Sequence, residues 1–431
     1  MNLLGAFVNA FRVPDLRKKI LFTLLIIAVY RFGAHVPTPG IDVDAAQRFA
    51  AGASGGVFQF INLFSGGALT QMAIFALGIM PYITSSIIMQ LLTVVIPKLE
   101  AWSKEGETGQ KKVTQWTRYL TVVLAILQST GLAFLFHNGS IQDGAGNPVD
   151  LIPNFNAWRV ALIVLSLTAG TALIMWLGEL ITQRGIGNGM SILIFTSIVS
   201  SLPSEGNAIY QQEGLAPFLI IIGIGLAIVV AIVYMEQGQR RIPVQYAKRV
   251  VGRKMYGGSS TYIPLKVNQA GVIPIIFASS VLYIPTMLQN VIQDNVVGRW
   301  ISNNLVNSDS PTYMIVYGIL VVFFAYFYTA ITFNPADVAD NMKKYGGFIP
   351  GIRPGRQTAD YLDRILTRIT LPGALFIAFI ALLPSVFLAV RDIQALPFGG
   401  TSILITVGVT LETMKQIESQ LMMRHYEGFL K

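Results

Sequence analysis

The sequence contains no cysteine in its 431 residues, which excludes disulfide bonds, thiol catalysis and cysteine-ligated metal sites. Charged residues are also scarce. They make up 12% of the chain, whereas soluble domains carry about 25%. Hydrophobic residues account for 53%, and there are 40 glycines, as expected where helices pack closely in lipid. This composition predicts an all-α integral membrane protein with several spans.

Motifs that bind nucleotides or metals are missing as well. The segment Gly106–Lys111 lacks the spacing and the Ser or Thr of a Walker A loop. The glycine-rich segment Gly185–Gly189 lies between two apolar runs, where a dinucleotide site of the βαβ type is not expected. His35, His137 and His425 are far apart and form no metal-ligand spacing. The sequence therefore predicts no enzyme activity, no cofactor and no metal site.

Ionisable residues are rare inside the apolar runs, where Glu179 and Arg31 lie only near the ends. Ion-coupled transporters usually carry Asp, Glu or His at mid-membrane, because ion and proton relays need them. This scarcity argues against a secondary transporter for a small solute, which is the alternative interpretation. An integral-membrane enzyme, the third interpretation, would need clustered His, Asp or Glu near one interface.

Ten apolar runs are candidates for transmembrane helices. They cover residues 20–34, 72–96, 117–136, 159–181, 190–203, 215–235, 270–292, 312–333, 370–390 and 399–414. Runs 190–203 and 399–414 are shorter than the roughly 20 apolar residues that a lipid-facing helix needs. We therefore expect these two weak runs to be sheltered inside the helix bundle.

The distribution of basic residues sets the predicted topology. If all ten runs cross, most of the 31 lysines and arginines lie on the same side as the N-terminus. If run 190–203 did not cross, the basic loop 236–267 would lie outside, against the positive-inside rule. The sequence therefore predicts ten spans with both termini in the cytoplasm.

Ten spans divide into two sets of five, residues 1–204 and 205–431. An odd number of spans per half means that the second half enters the membrane upside down, as in the inverted repeats of transport proteins. The weak runs are the fifth of each half, as this arrangement predicts. We see no residue-level match between the halves, and coincidence is the alternative interpretation.

The stretch Phe58–Ile96 combines a short apolar segment with a broken span. The segment Phe58–Phe64 is too short to cross a bilayer, the glycines after Ser65 interrupt it, and Pro81 lies inside the run that follows. Membrane proteins place such irregular backbone where it lines a cavity. This pattern predicts a re-entrant segment beside a passage, and plain packing is the alternative.

Six long motifs are spread over almost the whole chain, namely FINLFSGGALTQMAIFALGIMPYITSSIIMQLLTVVIP, SKEGETGQKK, GELITQRGIGNGMSILIF, GQRRIPVQYAKR, PLKVNQAGVIPIIFASS and YGGFIPGIRPGRQTADYL. In sequence and in order they resemble the bacterial SecY family, the channel subunits of the protein-conducting translocon. The resemblance implies a channel in the bacterial plasma membrane that passes unfolded secretory polypeptides and releases hydrophobic segments sideways into lipid.

The resemblance also implies roles for individual residues. A short plug helix would consist of Phe60, Ile61, Asn62, Leu63, Phe64, Ser65, Gly66, Gly67, Ala68 and Leu69. A pore ring would consist of Ile79, Ile83, Ile194, Ile198, Ile276 and Ile405. A lateral gate between the second and seventh spans would include Pro81, Thr84, Ser85, Ile88, Gln90, Pro274, Ser279 and Ser280. We expect the two prolines to bend or weaken their helices, with static packing as the alternative.

Two basic loops, 236–267 and 334–369, are the predicted docking arms. Alternation in Arg240–Arg249 and in Thr261–Lys266 predicts a hairpin. Such a basic arm suits RNA or an acidic protein surface, although topology alone would also explain its charge. The resemblance implies docking of the ribosome and the motor SecA, SecE and SecG as subunits, and signal sequences as ligands. The docking residues would be Arg240, Arg241, Lys248, Arg249, Arg253, Lys254, Arg353 and Arg356, the last in place of the family's Glu.

Overall fold

The computed structural model describes residues 11–42, 45–46, 62, 64–137, 151–152, 155–246, 249–251, 254–256, 260–291, 296–307, 310–391 and 400–428. Helices make up most of this part of the chain. Before the strands they are α1 Pro14–Gly33, α2 Met80–Val95, α3 Pro97–Lys104, α4 Glu107–His137, α5 Ala157–Arg184, α6 Gly189–Glu213 and α7 Leu215–Gln237. After the strands they are α8 Ile273–Val291, α9 Val296–Ile301, a π-helical turn Ser302–Val306, α10 Pro311–Thr332, α11 Pro335–Lys344, α12 Arg356–Arg391 and α13 Gly400–Gly428.

Five short strands lie in the two basic loops. They are β1 Gln239–Tyr246, β2 Arg249–Val251, β3 Lys254–Tyr256, β4 Ser260–Lys266 and β5 Gly347–Phe348. The first and fourth strands form the antiparallel hairpin that the sequence predicts, paired from Gln239 with Lys266 to Gln245 with Ser260. β5 adds to the other edge of β1 and gives the sheet order β4-β1-β5. The two loops therefore form a single body.

Several helices are long and apolar enough to cross a membrane. Within the described residues there are five, namely α4, α5, α7, α10 and α12, or six if the pair α2 and α3, bent by 101°, counts as one span. The chain is therefore a multi-pass membrane protein. The complete set of ten crossings stays a prediction, because α1, α6, α8 and α13 do not meet this criterion of length and composition.

The helix starts follow from the local sequence. Asn188, Ser310 and Asn334 cap their helices by accepting hydrogen bonds from backbone amides, which satisfies donors that a helix start leaves free. Proline occupies the first turn of α10 and α11, where its missing amide hydrogen costs nothing.

Two helices start later than the apolar runs suggest. The helix in run 72–96 begins only at Met80 and that in run 270–292 only at Ile273, so Pro81 and Pro274 both lie in a first helical turn. A proline there neither removes a helical hydrogen bond nor clashes with the preceding turn. The prediction that these prolines bend or weaken their helices is therefore wrong. The sharp bend in this region follows the end of α2, before Pro97.

The weak runs are sheltered, as predicted. Run 190–203 lies in α6, where Leu193, Ser197 and Ile198 are at most 1% exposed, and run 399–414 lies in α13, where Leu404 and Ile405 are each 1% exposed. The two helices pack against each other and against α7. Because other helices cover them, they do not need the apolar length that lipid exposure would require.

The glycine-rich segment between α5 and α6 is a tight helix-to-helix turn. Gly187 has a left-handed φ of +80°, and a Cβ on Gly189 would collide with the carbonyl of Gly178. The amide of Ile186 donates to Thr23 Oγ1 over 3.2 Å, which ties the turn to α1. The glycines therefore serve close backbone packing.

Among the described residues, buried apolar side chains form four clusters. The largest lies in the middle of the bundle and draws on most of the long helices. A separate cluster lies in the basic loops, where Ile242 and Leu265 of the hairpin join Ile349 and Leu362 of the second loop. This shared core explains why the two arms pack as one body, a connection that the sequence did not reveal.

Candidate functional site

The six isoleucines of the predicted pore ring all lie in the central buried cluster. They come from α2 and the residue before it, from α6, from α8 and from α13, and each is at most 9% exposed: Ile79, Ile83, Ile194, Ile198, Ile276 and Ile405. Four separate stretches of chain therefore contribute isoleucines to one buried cluster. Because isoleucine is branched at Cβ, such a cluster is stiff.

A cavity of about 450 Å³ opens at the end of the bundle that carries the strands. Ile83, Ile194 and Ile276 belong to its lining. Polar side chains share the wall with apolar ones, and they include Gln90, Thr114, Arg118, Glu179, Thr182, Gln183 and Asn188. Apolar side chains next to such a cavity have the chemistry with which a constriction excludes water and ions by dewetting.

An ion pair forms part of the cavity wall. Arg118 of α4 donates to both carboxylate oxygens of Glu179 in α5. This pair explains how a lone acid is accommodated inside an apolar span. Hydropathy does not reveal this partner, because Arg118 lies at the edge of run 117–136, whereas α4 begins ten residues before that run, at Glu107.

The described part of the predicted plug segment is a helix end followed by turns. Phe60, Ile61 and Leu63 lie outside the described residues. Asn62, Phe64 and Ser65 are helical, and turns follow from Gly66 to Ile79. The prediction of a helix that continues to Leu69 is therefore wrong. Gly66 and Gly67 have φ values of +64° and +88°, which a right-handed helix cannot contain.

This segment is nonetheless firmly packed. Phe64, Ser65, Ala68 and Leu69 are at most 1% exposed. The amide of Gly67 donates to the carbonyl of Asn62 over 3.2 Å, and the amide of Leu69 donates to Ser65 Oγ over 3.2 Å. Local hydrogen bonds therefore replace the helix beyond Ser65.

The end of the segment contacts α1 and α6 through polar groups. The guanidinium of Arg31 donates to the carbonyl of Gly66 over 2.7 Å and to Ser200 Oγ over 2.9 Å. The phenol of Tyr30 lies 2.6 Å from Ser197 Oγ and 3.4 Å from the carbonyl of Ser65. The apolar pattern of the sequence does not predict these contacts. Its one relevant feature is the charge of Arg31 near the end of the first apolar run.

The residues of the predicted lateral gate lie on two helices in contact, α2 and α8. Thr84, Ser85 and Ser280 each donate a hydroxyl to a carbonyl of their own helix. Ser279 instead lies 3.2 Å from the hydroxyl of Tyr317 in α10. Ile88 and Gln90 are half-buried, and Pro81 and Pro274 are buried at the helix starts.

The predicted docking arginines lie on the body formed by the two loops. Arg240 and Arg241 are exposed on β1, and the Arg241 guanidinium lies 4.9 Å from the ring centre of Tyr262 across the hairpin. Arg353 and Arg356 are exposed in the second loop. Of the rest, Arg249 and Lys254 belong to the paired strands β2 and β3, whereas Lys248 and Arg253 lie outside the described residues.

The connection between these arms and α8 was not anticipated. The side-chain amide of Asn268 donates to the carboxylate of Glu236, at the end of α7, and over 3.1 Å to the carbonyl of Gly271. The amide of Val267 donates to the carbonyl of Gly238 over 3.0 Å. The linker from β4 to α8 is thereby fixed to the end of α7.

The chain matches known proteins over its whole length. The family model SecY matches residues 73–414. A curated relative from Streptomyces galbus, named protein translocase subunit SecY, is 58% identical over 437 residues, covering 100% of both chains. The solved structure titled "The structure of a protein conducting channel" has a TM-score of 0.64 at 17% identity, and covers 94% of this chain and 92% of that one.

A second structure has the same architecture. It is titled "Sec61 in the Canine ribosome-channel complex from the endoplasmic reticulum" and aligns with a TM-score of 0.61 at 17% identity, over 94% of this chain and 92% of that one. At this identity the structures show a shared fold. Together with the family model and the full-length relative, they establish that this chain belongs to the SecY family.

Proposed function

We propose that this chain is the channel subunit of a protein translocase, which passes unfolded polypeptides across the bacterial plasma membrane. The observation that carries the proposal is the burial of six isoleucines from four stretches of chain in one cluster, three of which, Ile83, Ile194 and Ile276, line a cavity that also has polar groups in its wall. A stiff apolar collar can fit around an extended chain of any sequence. When no chain is present, it can exclude ions by dewetting.

The proposed architecture has ten spans in two inverted halves, residues 1–204 and 205–431, with both termini in the cytoplasm. The burial of the two weak runs supports it, since short apolar helices can cross only where neighbours shield them. The segment Phe60–Leu69 is proposed as the plug that blocks the passage on the far side of the collar. The burial of Phe64 and Ala68 in the same cluster as Ile79 supports this role.

Sideways release of apolar segments is proposed to occur between α2 and α8. Ile79, Ile83 and Ile276 belong to these helices or directly precede them, so a chain in the collar would lie next to the gate. An apolar segment that leaves between the two helices gains burial in lipid, whereas a polar segment would lose free energy there.

Energy must come from a partner, because the channel role involves no covalent step. The body formed by the two loops, with Arg240, Arg241, Arg353 and Arg356 exposed, is the proposed docking surface for the ribosome and for SecA. The family also implies SecE and SecG as subunits. A partner or a signal sequence opens the channel only if it binds the open state more tightly than the closed state.

Site-directed crosslinking tests the proposal directly. The chain has no cysteine, so single cysteines at Ile83 and Ile276 can be crosslinked to a precursor arrested during export. A cysteine at Leu165, which is 73% exposed on α5, is the control. We expect crosslinks from the two collar positions and none from Leu165. Equal yields from all three positions, or none from the collar, would contradict the proposed path.

Depletion of the protein supplies the second test. We expect a signal-bearing precursor to accumulate in the cytoplasm when this chain is depleted. A secondary transporter for a small solute would leave export unchanged. Normal export after depletion would therefore exclude the translocase function and favour that alternative.

A further inference from the structure

Arg31 carries a positive charge at the end of α1, at the junction with the predicted plug segment and α6. Its Nη1 donates to the carbonyl of Gly66 over 2.7 Å and to the hydroxyl of Ser200 over 2.9 Å. Within the part of the chain that the structure describes, no Asp or Glu oxygen lies within 4.0 Å of it. The charge is therefore compensated by a backbone carbonyl and a hydroxyl.

Tyr30 reinforces the same junction. Its ring is 1% exposed and stacks on Phe75 at a centroid distance of 5.8 Å. Its hydroxyl lies 2.6 Å from Ser197 Oγ and donates to the carbonyl of Ser65 over 3.4 Å. Consecutive residues of α1 thus bind consecutive carbonyls of the plug segment, and both also bind serines of α6.

The backbone at the junction is closely packed. A Cβ on Gly66 would lie 3.0 Å from Arg31 Nη1 and 3.0 Å from Ser197 Cα. A Cβ on Gly78 would lie 2.9 Å from the carbonyl oxygen of Phe64. Only glycine lets α1, α6 and the plug segment approach this closely. The hydrogen bonds therefore hold the segment in one defined position.

We propose that Tyr30, Arg31, Ser197 and Ser200 form a latch that holds the plug segment in the closed channel through the carbonyls of Ser65 and Gly66. Arg31 is a positioning residue, and the inference rests on the proposed function. The latch binds backbone carbonyls, so it acts independently of the side chains of the plug. Opening requires Arg31 to exchange these acceptors for water or for groups of the translocating chain.

The latch sets how strong a signal must be to open the channel. Loss of one hydrogen bond to a charged group shifts an equilibrium about tenfold or more. Removing Arg31 should therefore raise the open population by about that factor without a signal sequence. Channels without a bound signal sequence would then leak ions, because more of them are open, and a precursor with a defective signal would be exported.

The experiment compares Arg31→Met, Arg31→Lys, Ser200→Ala and Tyr30→Phe in the complete translocase. Ion leak is measured in reconstituted vesicles, and export is measured for a normal and a signal-defective precursor. We expect Arg31→Met to raise the leak and the export of the defective precursor about tenfold. We expect Arg31→Lys to rescue part of the effect, because it keeps the charge and one donor.

Tyr30→Phe keeps the folded shape and removes only the hydroxyl, so it separates the latch from general damage. It should show the same two changes more weakly, and so should Ser200→Ala. Tyr234→Phe, on an 83% exposed side chain of α7, is the control and should behave as wild type. Wild-type leak and signal dependence in both Arg31→Met and Tyr30→Phe would overturn the latch.

Failure of the latch can be told apart from failure of the proposed function. If the wild-type protein exports the normal precursor and the variants show no increase in ion leak, the latch is wrong and the channel function stands. If the wild-type protein exports nothing, the channel function itself is wrong. A variant that loses normal export without any gain in leak also counts against the latch.

Discussion

Arg118 and Glu179 form a bidentate ion pair, with Nε 2.7 Å from Oε1 and Nη2 2.6 Å from Oε2. The pair joins α4 to α5 in the cavity wall. Two parallel hydrogen bonds between charged groups are among the strongest polar contacts in proteins. Water reaches both partners, since the side chains are 36% and 16% exposed. The ion pair therefore holds two spans together without being fully removed from solvent.

We predict that Glu179→Gln and Arg118→Gln each lower the stability by about 1–3 kcal/mol, because each leaves a partly buried charge without its partner. The double variant should lose less than the sum, because it removes both charges. The apparent melting temperature of the protein in detergent measures these effects. Glu107→Gln is the control. It breaks the ion pair between Glu107 and Lys111, both of which are highly exposed, and it should leave the melting temperature unchanged. Additive losses in the double variant would show that the pair is not coupled.

The sequence predicts most of what depends on apolar pattern and alternation. The hairpin of the basic loop, the sheltered weak runs and the burial of six isoleucines in one cluster all follow from residues that repeat with a clear period or match a long motif. The roles of these residues in gating stay predictions. The sequence does not show which apolar stretches are helical, because hydropathy measures the polarity of side chains and not the conformation of the backbone.

The stretch before Met80 illustrates this limit. Residues 72–79 are apolar and nearly all buried, yet most of their backbone forms turns. The amide of Ile74 donates to the carbonyl of Val36, and the amide of Thr38 donates to the carbonyl of Met72. These long-range bonds to the segment after α1 replace helical ones. No local pattern reports them, and for the same reason the contact between Arg31 and Gly66 was missed.

Gly78 permits the close approach of the plug segment to the start of α2. It has a φ of +57°, and its Cβ would lie 2.9 Å from the oxygen of Phe64 and 2.9 Å from Cα of Ser65. Gly67 has a φ of +88° but nothing within 4 Å of the same position. We predict that Gly67→Ala costs about 1–2 kcal/mol for left-handed strain alone, and that Gly78→Ala costs more.

The two alanine variants are compared by melting temperature, since both carry the strain and only one carries the clash with backbone. We expect a clearly larger decrease for Gly78→Ala. Equal decreases in melting temperature would mean that the predicted plug segment can move away from a Cβ at position 78 without a cost in stability. The close packing of Phe64 and Ser65 would then not fix the position of this segment.

Asn268 connects the end of α7, next to the proposed docking arms, to α8, a helix of the proposed lateral gate. It is 6% exposed, and its amide donates to Glu236 and to the carbonyl of Gly271, just before α8. We predict that Asn268→Ala leaves the affinity for the ribosome unchanged but slows export several-fold, because displacement of the arms no longer moves α8. Unchanged export would show that the linker transmits nothing.

Binding and export are measured on the same preparation of Asn268→Ala. Gln245→Ala, at an exposed position on β1, is the control and should alter neither quantity. A loss of binding in Asn268→Ala would mean that the residue shapes the docking surface instead of coupling it to α8.

The positive charge of the two basic loops has two possible reasons, docking of a partner and membrane topology. Substitution of their exposed arginines tests which reason applies. Arg241 and Arg353 lie in different loops, but the sheet and the shared core hold both loops in one body. If they contact phosphates of ribosomal RNA, each replaced arginine should reduce the slope of log affinity against log salt by about one. We therefore predict that Arg241→Ala with Arg353→Ala weakens ribosome binding most at low salt and lowers this slope by about two.

Insertion and orientation should stay as in wild type, since many other basic residues of the same loops are retained. An inverted orientation with an unchanged slope would instead assign these arginines to topology alone.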